Sequence, residues 1–542
     1  MRAGATTVLR WLVAALLAGR LEEAHGSDPG GWLRSHPASL EALVCSMERR
    51  SPKEITPSTF EAEYRHKKPL VFSAGLLDSW KAQSNWRKGT MLELYGNATA
   101  KMGSSAELVF SAGDDSVRPV PLATAIKRMS NDSGLLMFDN EWLIRQAPEI
   151  LGDFEPPPHF VGFSPRANEA DVSRQGGGRE TWNMISLGGP GSGLPWHTHG
   201  ETWIATVFGR KAWFVYAPGD AGSTQRGSPL HDASAWFVHT LPSLTEAERP
   251  YQCVQQPGEV VYLPAGWAHL TVNLDETIGA GAQSNIRADD VKDKIKPAAD
   301  ASPGDPEAKL YMAFYLQQQL ARSRGVGEMR DEAGFGESIR RGTKRGSAKR
   351  QQDKVLKLLQ EAAEHHPYEI RGKLQLADLH ARLGKHKQLS IVLRSVEMAL
   401  VDAETEAMQD QATVAADEFG LLNSKVAHPL LLAEAWYRLA LVYRHHEHRS
   451  YRTFRAAQRA AAASVRISPQ PHVEAVLLAY EMALAVGDAK EAARLLMICE
   501  GHTDATHAAP ASAEPVPGCK EKLEALERGE GYSDVPELRD EL

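Results

Sequence analysis

The chain has 542 residues, 42% hydrophobic and 24% charged, a length and composition that can bury more than one core and form about two to four domains. A net charge of -8 argues against a general nucleic-acid binder. Four cysteines with no Cys-x-x-Cys pair support neither a thiol oxidoreductase nor a zinc ribbon.

At the start, Arg2 precedes an apolar run from Val8 to Ala18, broken by Arg10 and followed by Arg20-Leu21-Glu22-Glu23. That is the layout of a secretory signal peptide over residues 1–25, with cleavage between Gly19 and Gly26, and the run is too short to span a bilayer. No other stretch approaches the roughly 18 apolar residues of a transmembrane helix, so no transmembrane anchor is expected. At the other end, Arg539-Asp540-Glu541-Leu542 differs from Lys-Asp-Glu-Leu only in a first residue that is still basic. Together the two signals predict the endoplasmic reticulum lumen, with retention by a KDEL-type receptor.

In that compartment the sequons at Asn97 and Asn131 become usable glycosylation sites and predict exposed backbone. The oxidising lumen also favours structural disulfides among Cys45, Cys253, Cys499 and Cys519. Three connectivities are open, of which the simplest joins Cys45 to Cys253 and Cys499 to Cys519.

Residues 30–288 are rich in Trp, Phe, Gly and Pro, with short runs such as Trp203-Ile204-Ala205-Thr206-Val207 and Ala212-Trp213-Phe214-Val215-Tyr216 bounded by turn residues. This predicts a many-stranded β domain preceded by some helix, with Phe208-Gly209-Arg210-Lys211 as a tight hairpin connection. Residues 289–350 read as a charged linker carrying one helix, Pro306 to Ser323, and ending in a solvated basic run.

Residues 351–505 are helical throughout. Trp436-x2-Leu439-Ala440-x2-Tyr443 fits the start of a tetratricopeptide-type repeat, and Leu383-Gly384-Lys385-His386 and Val486-Gly487-Asp488-Ala489-Lys490 read as turns between paired helices. A tail, 506–542, closes the chain with the retention signal.

The chemistry-bearing residues lie between Gly188 and His269. In Leu194-Pro195-Trp196-His197-Thr198-His199-Gly200-Glu201 two histidines stand at i and i+2, which on a strand points both imidazoles to one face. Gly258-Glu259 through Pro264-Ala265-Gly266-Trp267-Ala268-His269 delivers a third histidine after a strand and a tight turn. A barrel pairing these strands brings three nitrogen ligands onto one face of a metal and leaves positions open.

The pattern His-x-(acid), Gly-x-Lys-x-Trp, Gly-Glu-x4-Pro-x-Gly-Trp-x-His resembles the JmjC domains of the cupin superfamily. It is similar in particular to the lumenal JmjC-domain-containing protein 8 group, through Cys45 to Arg50, Gly191-Ser192-Gly193, Gly209 to Phe214, Gly258-Glu259-Val260 and His269 to Asp275. The resemblance implies an α+β multidomain chain, a double-stranded β-helix (jelly-roll, cupin) barrel followed by an all-α helical-repeat domain. It implies Fe(II) on His197 and His269 and 2-oxoglutarate on Lys211. Independently, a buried oxoacid dianion needs a cation, which a lysine on an inward strand can supply.

The chain departs from the pattern at three places. His199 stands where an acid is usual, so the third ligand is either His199 or, with Gly200 bulged, Glu201. The twelve residues from His197 to Gly209 favour the first. Leu194 and Gly281 stand where hydroxyls are often found in the family. The expected function is a lumenal protein hydroxylase acting on secretory-pathway polypeptides bound by the helical domain; the alternative is an inactive JmjC-like scaffold.

Overall fold

A computed structural model describes residues 29–34, 43–104, 119–131, 135–139, 142–163, 181–220, 230–231, 233–284, 290–301, 306–323, 345–365, 369–410, 429–444, 451–468 and 473–499. The signal peptide, Cys519 and the terminal Arg539 to Leu542 lie outside the described residues.

Thirteen strands are described: β1 (Arg49–Arg50), β2 (Leu70–Phe72), β3 (Thr99–Lys101), β4 (Gly103–Ser104), β5 (Pro119–Pro121), β6 (Leu135–Asp139), β7 (Thr181–Gly188), β8 (Thr202–Phe208), β9 (Lys211–Tyr216), β10 (Tyr251–Gln255), β11 (Val260–Leu263), β12 (Ala268–Asn273) and β13 (Thr277–Ser284). The larger sheet runs β1-β2-β11-β8-β13-β7-β6-β4 and the smaller β10-β9-β12, with β3 and β5 paired apart. Together they form the cupin-type sandwich of an α+β protein.

Every residue of β8 is buried, because both faces of the larger sheet are covered. Strand alternation sends Trp203, Ala205 and Val207 outward into a cluster with Phe60, Met91, Tyr95 and Ile126 of the preceding helices, while Ile204 faces Trp213, Val215 and Val261 inside the sandwich. The smaller sheet likewise buries Ala212, Phe214, Leu270 and Val272 outward against Trp196, Trp236 and Phe237. The aromatic richness of this half thus largely fills two outer layers, each large side chain contributing about 1.5–3 kcal/mol, while the interior holds Trp213 beside smaller and polar groups.

The expected hairpin at Phe208 to Lys211 is a corner instead. β8 and β9 lie in different sheets and do not pair, and Gly209, at φ 75°, turns the chain from one to the other. A methyl group at Gly209 would stand 2.4 Å from the Glu276 carbonyl oxygen, and the corner is clamped by a bidentate pair, Arg210 Nε to Asp275 Oδ2 at 2.8 Å and Nη2 to Oδ1 at 3.0 Å.

Eight helices follow among the described residues, from Pro306–Ser323 through Arg345–His365, Ile370–Arg382, His386–Asp410, Pro429–Arg444, Tyr451–Ile467 and Val473–Ala485 to Ala489–Cys499, each packed on the next. Two connections are Schellman turns. Gly384 (φ 62°) and Gly487 (φ 75°) hold the left-handed position, with Lys385 N–H donating to His380 O at 2.9 Å and Asp488 N–H to Ala483 O at 2.8 Å. Trp436, Leu439 and Ala440 are buried in the shared core.

The segment 289–350 holds more helix than the single one expected. Val291–Ile295 and Lys296–Ala301 are also helical, because Val291, Ile295, Ala298 and Ala299 make a buried stripe that intervening charges hide in the sequence. Half of the basic run belongs to the helix that opens at Arg345. No helix among the described residues is long and apolar enough to cross a membrane.

Candidate metal centre

The segment before β8 runs antiparallel to β12. Gly191 N–H donates to Asn273 O at 2.8 Å, Asn273 N–H to Ser192 O at 2.7 Å and Thr271 N–H to Leu194 O at 3.0 Å. His197 and His269 exchange both backbone hydrogen bonds at 3.0 Å in an isolated bridge. The approach is close: a methyl group on Gly193 would sit 1.8 Å from Thr271 O. Ser192 Oγ accepts from Asn273 Nδ2 at 2.9 Å, so the Gly-Ser-Gly and Asn-Leu-Asp stretches are two sides of one latch.

This pairing gathers His197, His199 and His269, one nitrogen of each lying within 4.8 Å of the others. Their ring centroids are 4.2 Å (His197 to His269), 4.6 Å (His199 to His269) and 5.3 Å (His197 to His199) apart. Each Nδ1 meets a backbone carbonyl, that of Pro195 at 2.7 Å, Gly200 at 2.8 Å and Trp267 at 2.9 Å. A carbonyl only accepts, so these contacts assign the proton to Nδ1 and the lone pair to Nε2, the tautomer of a metal-ligating histidine held by its outer partners. The crowding of protein around His199, reinforced by His197, holds its imidazole well below its usual range and therefore neutral.

Glu201 does not join the cluster. Thr202 opens β8 on the inner face, so Glu201 points outward, where its Oε1 accepts from Tyr262 OH at 2.7 Å and Arg65 Nε at 3.1 Å. A bulge at Gly200 that would turn this carboxylate inward is not formed, and His199 is the residue that lies with His197 and His269.

Lys211 opens β9 directly after the Gly209-Arg210 corner and is buried. Its Nζ meets Ser186 Oγ at 3.3 Å and no carboxylate among the described residues, and burial pulls the amine down to about 8. On the same inner face, Thr206 Oγ1 and Asn273 Oδ1 are buried with no protein partner. A buried cation beside unpartnered polar atoms is a site made for an anionic oxygen ligand.

Leu194 brings no hydroxyl, but its N–H meets Thr271 Oγ1 at 3.3 Å, so β12 supplies one nearby. At Gly281 a methyl group would stand 2.1 Å from Trp203 O, which excludes any side chain there. Ser186, Thr206, Thr271 and Asn273 were not singled out in the sequence. Their signal is the inward register shared with Lys211 and His269, visible only once the strands are paired.

Cys45 is joined to Cys253 across 208 residues, tying the N-terminal segment to β10. The pairing of Cys499 with Cys519 falls outside the described residues. Asn97 is exposed in the turn before β3, and Asn131 is the last residue of the helix Leu122–Asn131.

Residues 184–282, which contain all three histidines and Lys211, match the family described as JmjC domain, hydroxylase. This chain carries a JmjC domain. It is homologous to JmjC domain-containing protein 8 of Rattus norvegicus, with 28% identity over 264 residues, 46% of this chain and 88% of that protein. The 2-oxoglutarate and iron-dependent oxygenase JMJD4 of Gallus gallus is 24% identical over 248 residues, 42% of this chain and 57% of the relative. The bifunctional arginine demethylase and lysyl-hydroxylase psr-1 of Caenorhabditis elegans is 23% identical over 261 residues, 45% of this chain and 62% of the relative. The last two of these relatives are named for an activity, JMJD4 as a 2-oxoglutarate and iron-dependent oxygenase and psr-1 as a demethylase and hydroxylase.

Proposed function

We propose that this chain is a JmjC-type Fe(II)- and 2-oxoglutarate-dependent protein hydroxylase of the endoplasmic reticulum lumen, acting on secretory-pathway polypeptides. The observation that carries the reading is the co-occurrence of three convergent imidazoles with a buried lysine that meets no carboxylate among the described residues. His197, His199 and His269 would hold the metal, and Lys211, assisted by Ser186 and Thr206, would hold the distal carboxylate of the oxoacid. When bound, the pair of groups supplies oxygen activation with two-electron oxidation of the oxoacid.

The chain's own residues do the rest. The backbone carbonyls of Pro195, Gly200 and Trp267 keep the proton off the ligating nitrogens. The hydrophobic inner neighbours Ile204, Trp213 and Val261 exclude water and strengthen the attraction between Lys211 and an anion. The helical region supplies the surface for a polypeptide partner, the sequons at Asn97 and Asn131 carry glycans, and the terminal Arg539 to Leu542 engages a KDEL-type receptor.

A second reading, a scaffold without turnover, is favoured by one observation: His199 in place of a carboxylate leaves a divalent metal with no charge compensation from its ligands. Anaerobic titration of the purified chain with Fe(II) and then 2-oxoglutarate, followed by succinate release in air, separates the two. Stoichiometric binding of both with succinate formation supports the hydroxylase. Metal binding without oxoacid binding sinks it and leaves the scaffold.

A further inference from the structure

The turn Pro264-Ala265-Gly266-Trp267 joins β11 to β12 and so delivers His269. Its Gly266 N–H also donates to the carbonyl of His199 at 3.0 Å. One four-residue turn therefore holds the backbones of two of the three histidines. Gly266 adopts φ 82° and has no side chain to fix it, so its position is set by what packs on it.

What packs on it is the helix that leaves the barrel, Val291–Ile295 running into Lys296–Ala301. A methyl group at Gly266 would stand 3.0 Å from Ile295 Cδ1 and 3.7 Å from Lys294 Cβ. Lys294 Nζ donates to Ala265 O at 3.4 Å and lies 3.3 Å from Asp290 Oδ1, one turn earlier on the same helix. An apolar contact and a charge-assisted hydrogen bond thus grip adjacent residues of the turn.

The same helix faces the helical region. Val291 and Ile295 cluster with Met312 of Pro306–Ser323, and Leu310 and Ala313 of that helix pack with Val355, Leu356 and Leu359 of Arg345–His365. Packed contacts therefore run without a break from the first helices of the C-terminal region to the backbone of His199.

We propose that the helix Val291–Ala301 is a positioning element of the three-histidine site, fixing the 264–267 turn and, through it, His199 and His269. Through this helix, the helical region bears on the metal centre. The inference rests on the metal-site reading above and adds a route by which a polypeptide held by the helices alters the geometry of the histidines. None of Lys294, Ile295 or Gly266 touches the metal, so the effect is one of position.

The test is Co(II) titration of the full chain, read both as affinity and as the ligand-field absorption band, which reports geometry independently of turnover. Ile295→Ala and Lys294→Met weaken Co(II) binding about tenfold, as the loss of outer partners does at metal sites, and shift the band; Ile295→Val and Lys294→Arg restore both. Leu495→Ala, in the distant helical core, lowers thermal stability and leaves affinity and band unchanged. If Ile295→Ala does not fold, Lys294→Met, at a partly exposed side chain, decides alone. Native affinity and a native band in the folded variants overturn the inference while the metal reading stands. A native chain that takes up no Co(II) overturns the metal reading, and this inference with it.

Discussion

His197 and His269 face each other across a single antiparallel bridge, each N–H donating to the other's carbonyl at 3.0 Å. The two imidazoles are therefore placed by one pair of backbone hydrogen bonds rather than by independent loops. His199, two residues on, joins them on the same face, its carbonyl accepting from Gly266 N–H at 3.0 Å.

Replacing His269 or His199 by alanine removes one of the three proposed ligands, and isothermal titration with Fe(II) or Co(II) under anaerobic conditions should show binding lost in both. Glu201→Gln gives the contrasting outcome: metal stoichiometry is retained, and urea unfolding shows a loss of about 1–2 kcal/mol, because the buried Arg65 guanidinium and Tyr262 hydroxyl lose a charged acceptor while Arg65 keeps its ion pair with Glu61. Metal loss in Glu201→Gln with retention in His199→Ala would reverse the ligand assignment.

Lys211 carries a penalty in the folded state. Its amine sits at about 8 against an ordinary 10.5, so the unfolded chain binds the proton more tightly. The cost, about 3 kcal/mol, is complete below pH 8 and disappears as the pH rises through 10.5. Lys211→Met should therefore be more stable than the native chain at pH 7, with the advantage shrinking between pH 8 and 10.5 in denaturant melts. The same variant keeps the metal and loses 2-oxoglutarate, and native oxoacid affinity falls as the pH passes 8.

Gly193→Ala tests the latch beside His197. The added methyl meets Thr271 O at 1.8 Å, so the segment must move off β12 and carry His197 with it. Metal affinity falls at least tenfold, whereas Gly384→Ala, at a helical turn with open space around it, costs only about 1 kcal/mol for its left-handed backbone and leaves metal affinity unchanged.

Breaking the Cys45–Cys253 link frees a loop of 208 residues in the unfolded chain. The chain-entropy relation puts the loss at about 5 kcal/mol. Thermal melts of Cys45→Ser with Cys253→Ser, against the native chain with and without reductant, measure it; equal melting temperatures would show that the bridge does not restrain unfolding.

The ingredients of the site were legible in the sequence because spacing encodes them: His197 and His199 at i and i+2, His269 after a turn, Lys211 after a glycine. The Schellman turns at Gly384 and Gly487 were legible for the same local reason. The choice between His199 and Glu201 was legible only as a leaning, from the twelve residues between His197 and Gly209, since it depends on which face Thr202 takes when β8 pairs with β11 and β13. The corner at Gly209 reads as a hairpin locally, and only the sheet order shows that its arms separate. The helix Val291–Ala301 was hidden because its apolar stripe is narrow and its charges dominate composition.

The disulfide divides the site along the chain. His197 and His199 fall inside the span closed by Cys45 and Cys253, and His269 lies sixteen residues beyond it. A pull on the two ends of the chain cannot stretch the closed span, so tension passes through the bridge into β11, β12 and β13, which lie beyond it. Extraction or threading of this protein from its C-terminal side would draw on the strand that carries His269 while the segment that carries His197 and His199 stayed inside the span closed by the bridge.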